Sequence, residues 1–328
     1  MSDIIDLKYT TIKDPVPDFI YQGLSEFVKK SNTYHPQPSE LIDKLSNKFK
    51  VKQDTIFITD GNDEGIQIFC QAYGQNTYIF TPTYIVYSDV EEFGGKLTSI
   101  HSIKESVYSI DTGTIPDATL IFLANPNNPS GITEKSQVLE LVKNNPQAQV
   151  VIDEAYGEFA DLSVIDEVKN YKNLSVLQSF SKGYALAGAR VGSVISHPDT
   201  IEKIQRKTQW ANISYLSIGA AIIALDHEDY FRKVRNDISE RRDEFIDFLR
   251  FRSYSVLPSK INAAVIRFPS EKMGAHFADY LKQHNIISNL GNGNSNIGLD
   301  ESYVRIAIGS GNQMETLKKI IIDYKPVI

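Results

Sequence analysis

Seven short apolar runs, separated by helix-patterned stretches, constrain this chain more than any other feature. They fall at Thr55 to Thr59, Thr77 to Phe80, Leu97 to His101, Thr119 to Ala124, Gln149 to Ile152, Leu174 to Phe180 and Val191 to Ile195. Continuous apolar runs of this length suit strands buried on both faces, so the alternation predicts an α/β fold, a mostly parallel sheet covered by helices on both sides. The pattern changes after Tyr215. A small-residue apolar run continues through Leu225, and a charged amphipathic stretch from Asp229 to Phe251 is long enough to bridge two lobes. Short strand candidates then appear at Ser255 to Leu257, Ala263 to Phe268 and Tyr303 to Ile308, followed by an amphipathic helix from Gln313 to Tyr324. That order predicts a smaller α+β lobe. The expected division is a large domain over residues 30–235 and a small domain formed by 236–328 together with 1–29, which supplies an N-terminal arm. The stretch Gly291 to Asn296 has too little apolar content to pack and reads as a mobile loop.

Composition removes several functional classes. With 328 residues the chain can bury a substantial core, and a net charge of −7 argues against a nucleic-acid-binding surface. No segment approaches the roughly 20 apolar residues that cross a bilayer, and Met1-Ser2-Asp3 lacks the basic and apolar pattern of a secretory leader, so a cytoplasmic location without membrane contact is expected. Cys70 is the only cysteine, which rules out an intrachain disulfide and a cysteine-based zinc cluster. Among Gln67, Ile68, Phe69 and Ala72 it reads as a helix core residue. The 6 histidines have no metal-ligand spacing. The expectation is an enzyme with an organic cofactor and no metal.

The chemistry-bearing residues follow the apolar runs. Lys182 stands just past the run Leu174 to Phe180, at the carboxyl end of a strand, where sheets of this kind bind ligands, and Arg190 follows eight residues later. A partly desolvated lysine near another cation can lose its proton and form a Schiff base with an aldehyde, while the arginine can hold a phosphate. An ordinary surface lysine would look the same in isolation. Asp153 ends the run Val150-Val151-Ile152, where an acid is costly unless it meets a cation. An exposed strand end is the competing reading; a protonated pyridine nitrogen is a cation that would suit it. Tyr156 lies three residues on, within reach of a phenolic oxygen on such a ring. Gly61-Asn62-Asp63-Glu64 lies between the run ending at Thr59 and a helical stretch from Ile66 to Tyr73, so Asn62 or Asp63 can cap that helix and its N-terminus can cradle a phosphate. A purely structural cap explains the same residues. Asn125-Pro126-Asn127-Asn128-Pro129-Ser130-Gly131 follows another strand, either as a simple turn or as the source of an Asn128 hydrogen bond to the ring oxygen. Together these groups are what pyridoxal 5'-phosphate (PLP) requires, and they occur in a consistent order.

Six motifs in that order resemble the fold-type I PLP-dependent aminotransferases of class I/II, and most closely their histidinol-phosphate aminotransferase branch. They are Tyr-His-Pro-Gln-Pro from Tyr34, Gly-Asn-Asp-Glu from Gly61, Pro-Thr-Tyr ending at Tyr84, Asn-Pro-Ser-Gly from Asn128, Asp-Glu-Ala-Tyr from Asp153, and the block from Lys182 to Arg190. The resemblance runs from about Tyr34 to Arg190, with a fainter echo at Val304-Arg305-Ile306. It implies an aspartate aminotransferase-like architecture in which Lys182 carries the cofactor as a Schiff base, Asp153 pairs with the pyridine nitrogen, Asn128 and Tyr156 hold the phenolic oxygen, and Tyr84 stacks on the ring. It also implies a phosphate site built from Gly61, the amides near Asn62 and Asp63, Ser179, Ser181 and Arg190, with Tyr34 reaching across from the second subunit of a homodimer. Arg305 corresponds to the clamp for a substrate carboxylate or phosphate, a task that suits the bidentate guanidinium fork.

Two departures bear on the substrate. Ile12-Lys13-Asp14-Pro15 stands where the family has Asn-Glu-Asn-Pro, and Asn289 falls where a second small-lobe arginine is expected. Losing a charged hydrogen bond to a substrate anion costs about 1.5 to 3 kcal/mol, or roughly one to two decades in affinity, which counts against histidinol phosphate. Lys13, Lys260 and Arg267 are candidates for a substitute charge. The expected activity is transfer of an amino group from a donor, by default glutamate with 2-oxoglutarate as its partner, to a small keto acid or phosphorylated keto compound. Decarboxylation of an amino-acid phosphate uses the same cofactor residues and is the nearest alternative. A noncatalytic PLP-binding protein is the next.

Overall fold

The computed structural model describes residues 4–104 and 107–325. All seven apolar runs form strands of one seven-stranded sheet, with edges within a residue of those expected. Across the sheet the order is Ile56–Thr59, Gly192–Ser196, Leu174–Ser179, Gln149–Asp153, Leu120–Ala124, Asn76–Thr81 and Lys96–His101. Every neighbouring pair is parallel except at Gly192–Ser196, which runs antiparallel to both of its neighbours. Alternate side chains divide between two apolar layers. Phe57, Ile79, Phe122, Val151 and Leu177 pack on one face with the helix Gly61–Tyr73, while Ile58, Phe80, Leu123, Ile152 and Val176 pack on the other. Cys70 lies buried in the first of these layers, as expected, and burial pushes its thiol up to about 12.

This topology gathers the motifs on one edge. In register, Ala124 pairs with Asp153, Asp153 with Leu177, Ser179 with Gly192 and Gly192 with Thr59. The carboxyl ends of four parallel strands and the amino end of the reversed strand therefore open on the same side. The segments carrying Gly61 to Asp63, Asn128, Asp153, Ser179 to Lys182 and Arg190 all leave the sheet there, the usual ligand-binding edge of such sheets.

A second, antiparallel sheet has four strands in the order Ser255–Val256, Ala263–Arg267, Tyr303–Ala307 and Asn289–Leu290. The helices Glu271–Gln283 and Gly311–Asp323 contribute Phe277, Leu281, Met314 and Leu317 to its core. The long helix Glu228–Phe251 joins the two bodies, giving Phe231 to the first core and Ile238, Phe245 and Leu249 to the second. No described helix is long and apolar enough to cross a membrane.

Two connections were not apparent in the sequence. The N-terminal strand Ile5–Asp6 pairs in parallel with Ile286–Ile287, and Leu7 is fully buried in the second core. The stretch expected as a mobile loop is partly ordered: Asn296–Ile297 forms a strand antiparallel to Thr83–Tyr84, which ties this segment to the body of the large sheet. Its asparagines supply what it lacks in apolar content, because Asn296 is buried and donates to the carbonyls of Thr83 and Asn128.

Candidate active site

A cavity of about 320 Å³ opens at the ligand-binding edge of the large sheet, closed on one side by the small sheet and on another by the N-terminal segment. Eleven of the residues singled out in the sequence line it: Asn62, Asp63, Tyr84, Asn128, Asp153, Tyr156, Ser179, Ser181, Lys182, Arg190 and Arg305. Gly61 lies immediately behind Arg190, where a Cβ would stand 2.5 Å from Nη2. Tyr34 is outside the cavity, 79% exposed, with its ring centroid 5.6 Å from that of Trp210.

Asp153 is the most constrained group in the cavity. At 4% exposure, its carboxylate accepts from Asn62 Nδ2 at 2.9 Å, Tyr87 OH at 2.9 Å and the Ala155 amide at 3.0 Å. All three donors are neutral, and among the described residues no cation pairs with this acid. Burial raises its pKa, and the hydrogen bonds from Tyr87 and Asn62 oppose that shift. A cationic ring nitrogen would complete the arrangement.

Neither Asn62 nor Asp63 caps the helix Gly61–Tyr73, contrary to the sequence reading. Asp60 is its N-cap residue, without a side-chain cap hydrogen bond. The Asn62 amide reaches Asp153 instead, and Asp63 Oδ2 takes a hydrogen bond from Arg190 Nη2 at 2.8 Å. Charged partners at the cavity outcompete a cap. Gly61 has φ +72°, a left-handed conformation that an L side chain resists, and it lets the chain turn from the strand straight into this helix.

Lys182 sits in the short helix Phe180–Gly183, where Ser179 Oγ accepts the Ser181 amide at 3.1 Å. Its Nζ lies 5.7 Å from the centroid of the Tyr156 ring. Tyr84 donates to Asp63 Oδ1 at 3.0 Å, and burial followed by the nearby Asp63 charge raises its pKa. Lys182, Arg190 and Arg305 are the cations among the described lining residues. Lys13, Lys260 and Arg267 do not line the cavity; burial lowers the Lys13 pKa, and repulsion from Lys182 contributes.

Arg305 enters from the small sheet. Nη1 donates to Asn128 Oδ1 at 2.7 Å and Asn296 Oδ1 at 3.0 Å, and Nη2 donates to the Lys8 carbonyl at 3.1 Å. Its Nε is buried without an acceptor, and among the described residues no carboxylate pairs with it. Burial lowers its pKa. Asn289 pairs with Arg305 in the backbone register of adjacent strands, and its amide donates to Ser295 Oγ at 2.9 Å.

Sequence reasoning missed Tyr87, Tyr9, Thr10, Thr11, Asn294 and Ser295, all of which line the cavity. Tyr87 gave one usable signal, since it stands three residues after Tyr84 beside the Pro-Thr-Tyr motif. The others come from the N-terminal segment and from the stretch read as a loop, where no motif or periodicity singles out a residue.

The donor set fits pyridoxal phosphate on the chain's own evidence. An amine, a buried acid lacking a cation and an arginine beside a helix N-terminus share one cavity with a second, uncompensated buried arginine. The family model for class I and II aminotransferases matches residues 13–321. Histidinol-phosphate aminotransferase 1 of Oceanobacillus iheyensis is 30% identical over 99% of this chain and 94% of its own length. The histidinol-phosphate aminotransferase of Thermotoga neapolitana is 31% identical over 88% and 84%. Among solved structures, histidinol-phosphate aminotransferase from Sinorhizobium meliloti in complex with pyridoxal-5'-phosphate superposes with a TM-score of 0.88 at 21% identity, covering 98% of this chain and 91% of that one. L-threonine-O-3-phosphate decarboxylase from Porphyromonas gingivalis superposes at 0.85 and 25% identity, covering 97% and 98%.

Proposed function

The chain belongs to the class I and II aminotransferase family, and from that premise we propose that it is a PLP-dependent enzyme moving an amino group between an amino acid and a small keto acid or phosphorylated keto compound. Glutamate and 2-oxoglutarate form the default amino pair. The observation that carries this reading is the buried Asp153 carboxylate with three neutral donors, in the same cavity as the Lys182 amine.

When bound, pyridoxal phosphate supplies an aldehyde that condenses with amines and a ring that accepts electron density. Asp153 would keep a proton on the ring nitrogen, while Asn128 and Tyr156 would donate to the phenolic oxygen. Tyr84 would pack against the ring. Gly61, the amides of Asn62 and Asp63, and the side chains of Ser179, Ser181 and Arg190 would hold the phosphate. Lys182 would hold the cofactor through its amine, and that amine, once free, would move the proton of the substrate α-carbon. Arg305 grips the substrate carboxylate, which supplies the acceptor its Nε lacks in the protein alone.

The active form is a homodimer in which Tyr34 reaches the partner's phosphate site. The support for this is an exposed aromatic pair, Tyr34 at 79% and Trp210 at 70%, standing outside the protein's own cavity.

A second reading, decarboxylation of an amino-acid phosphate, has the likeness to the threonine-phosphate decarboxylase in its favour. One experiment decides between them: the PLP-loaded protein is mixed with amino acids and amino-acid phosphates while its visible absorbance and carbon dioxide release are followed. Conversion to the pyridoxamine form by glutamate without carbon dioxide supports the aminotransferase. Carbon dioxide from a phosphorylated amino acid supports the alternative, and Lys182→Ala with undiminished turnover overturns both.

A further inference from the structure

Thr10 lies in the N-terminal segment, far in sequence from every motif of the site. Its side chain is 4% exposed and its Oγ1 stands 2.6 Å from the hydroxyl of Tyr156, which is itself buried. The segment is anchored before this contact and turns locally around it. Ile5–Asp6 pairs with Ile286–Ile287, the Ala307 amide donates to the Leu7 carbonyl at 2.9 Å, and the Thr11 amide donates to the Tyr9 carbonyl at 2.8 Å. Lys8 in between receives the Arg305 guanidinium on its carbonyl. The three residues Lys8 to Thr10 therefore touch both a tyrosine of the large body and the buried arginine of the small sheet.

A phenol can donate one hydrogen bond and accept another. If Thr10 supplies the proton of the 2.6 Å contact, the Tyr156 hydroxyl proton is free to point into the cavity, and a phenol that accepts a hydrogen bond becomes the stronger donor. We propose that Thr10 is a positioning residue that fixes the Tyr156 hydroxyl as a donor toward the cavity and so lowers the pH at which the bound cofactor loses its proton. This rests on the proposed function, because the acceptor in the cavity is the phenolic oxygen of pyridoxal phosphate. Donation to that oxygen favours its anionic form; weakening the donation moves the titration upward.

The test uses the PLP-loaded protein and the pH midpoint of its visible absorbance in wild type, Thr10→Val, Thr10→Ser and Tyr156→Phe. Thr10→Val preserves shape but removes the hydroxyl, and its midpoint is expected to rise by about half to one pH unit, from the strength of one hydrogen bond. Thr10→Ser restores the wild-type midpoint. The double variant Thr10→Val with Tyr156→Phe shows the Tyr156→Phe midpoint and no further rise, because Thr10 acts only through the phenol. A Thr10→Val protein that binds the cofactor stoichiometrically and titrates as wild type overturns the proposal, as does an additive shift in the double variant. A wild-type protein that binds no pyridoxal phosphate overturns the proposed function together with this inference. The two failures are therefore distinguishable.

Discussion

Arg305 Nη1 donates to Asn128 Oδ1 at 2.7 Å, which joins the small sheet directly to the turn that follows the Leu120–Ala124 strand. The guanidinium is buried beside neutral oxygens and keeps Nε unpaired, so it is organised for an anion the protein does not itself supply. Arg305→Lys retains the charge and loses the fork. The expected outcome is a KM for the amino acid raised by about one to two decades, the value of a charged hydrogen bond, with cofactor absorbance unchanged. Steady-state kinetics with spectroscopically verified cofactor occupancy checks this; an unaltered KM would mean that the substrate anion binds elsewhere.

Gly61 joins a sheet strand to a helix at φ +72°, with Arg190 packed where its Cβ would be. Gly61→Ala should cost about 1 to 2 kcal/mol through the left-handed backbone alone. It also pushes the Arg190 guanidinium away, and a roughly tenfold loss of PLP affinity is expected on top of the lowered stability. Fluorescence titration with PLP measures the first effect and thermal unfolding the second. Wild-type affinity in a destabilised variant would remove the phosphate role from this turn.

The seven strands were legible because each is a continuous apolar run with its own ends, and the motifs from Gly61 to Arg190 were legible because each lies just past such a run, whereas the one at Tyr34 precedes them all. The contacts between segments were less so. Thr10 and Tyr156 are separated by 146 positions, and nothing local marks a threonine as the partner of a tyrosine. Asn62 and Asp63 have the chemistry of helix caps, but the fold offers them Asp153 and Arg190, and tertiary charge outweighs local preference. From Gly291 to Ser295 the chain is the loop that was expected, and the departure is at Asn296, which enters a two-residue strand. Asn296 is buried through hydrogen bonds to Thr83 and Asn128, which no hydropathy pattern can reveal.

Trp210 is 70% exposed and packs only loosely against Tyr34. If this pair is the centre of a dimer interface, Trp210→Glu buries a charge in it and should weaken association by two or more decades, as loss of an aromatic hot spot does. Sedimentation velocity at micromolar protein reads the change directly. Activity should fall with the dimer fraction, because the proposed place of Tyr34 is the partner's phosphate site. A Trp210→Glu protein that sediments like the wild type would rule this face out as the interface.

Glu154 is the neighbour of Asp153 on the far side of the strand, fully buried, accepting the Val164 amide at 2.9 Å and the Gln178 side-chain amide at 2.5 Å. Burial raises its pKa from 4.5 to about 7, and the hydrogen bonds from Val164, Ser163 and Gln178 offset only part of that. In the folded protein Glu154 is thus protonated over a range where the unfolded chain is ionised. The native state then holds more protons, so stability from this group is complete below about pH 4.5 and is lost as pH rises toward 7. The shift corresponds to about 3 kcal/mol. Glu154→Gln has no proton to lose. Urea unfolding of both cofactor-free proteins from pH 4.5 to 8 should give a difference that grows in favour of Glu154→Gln as pH rises and then levels above pH 7. Parallel profiles would mean that Glu154 is ionised in the native protein throughout, and that its three hydrogen bonds outweigh burial.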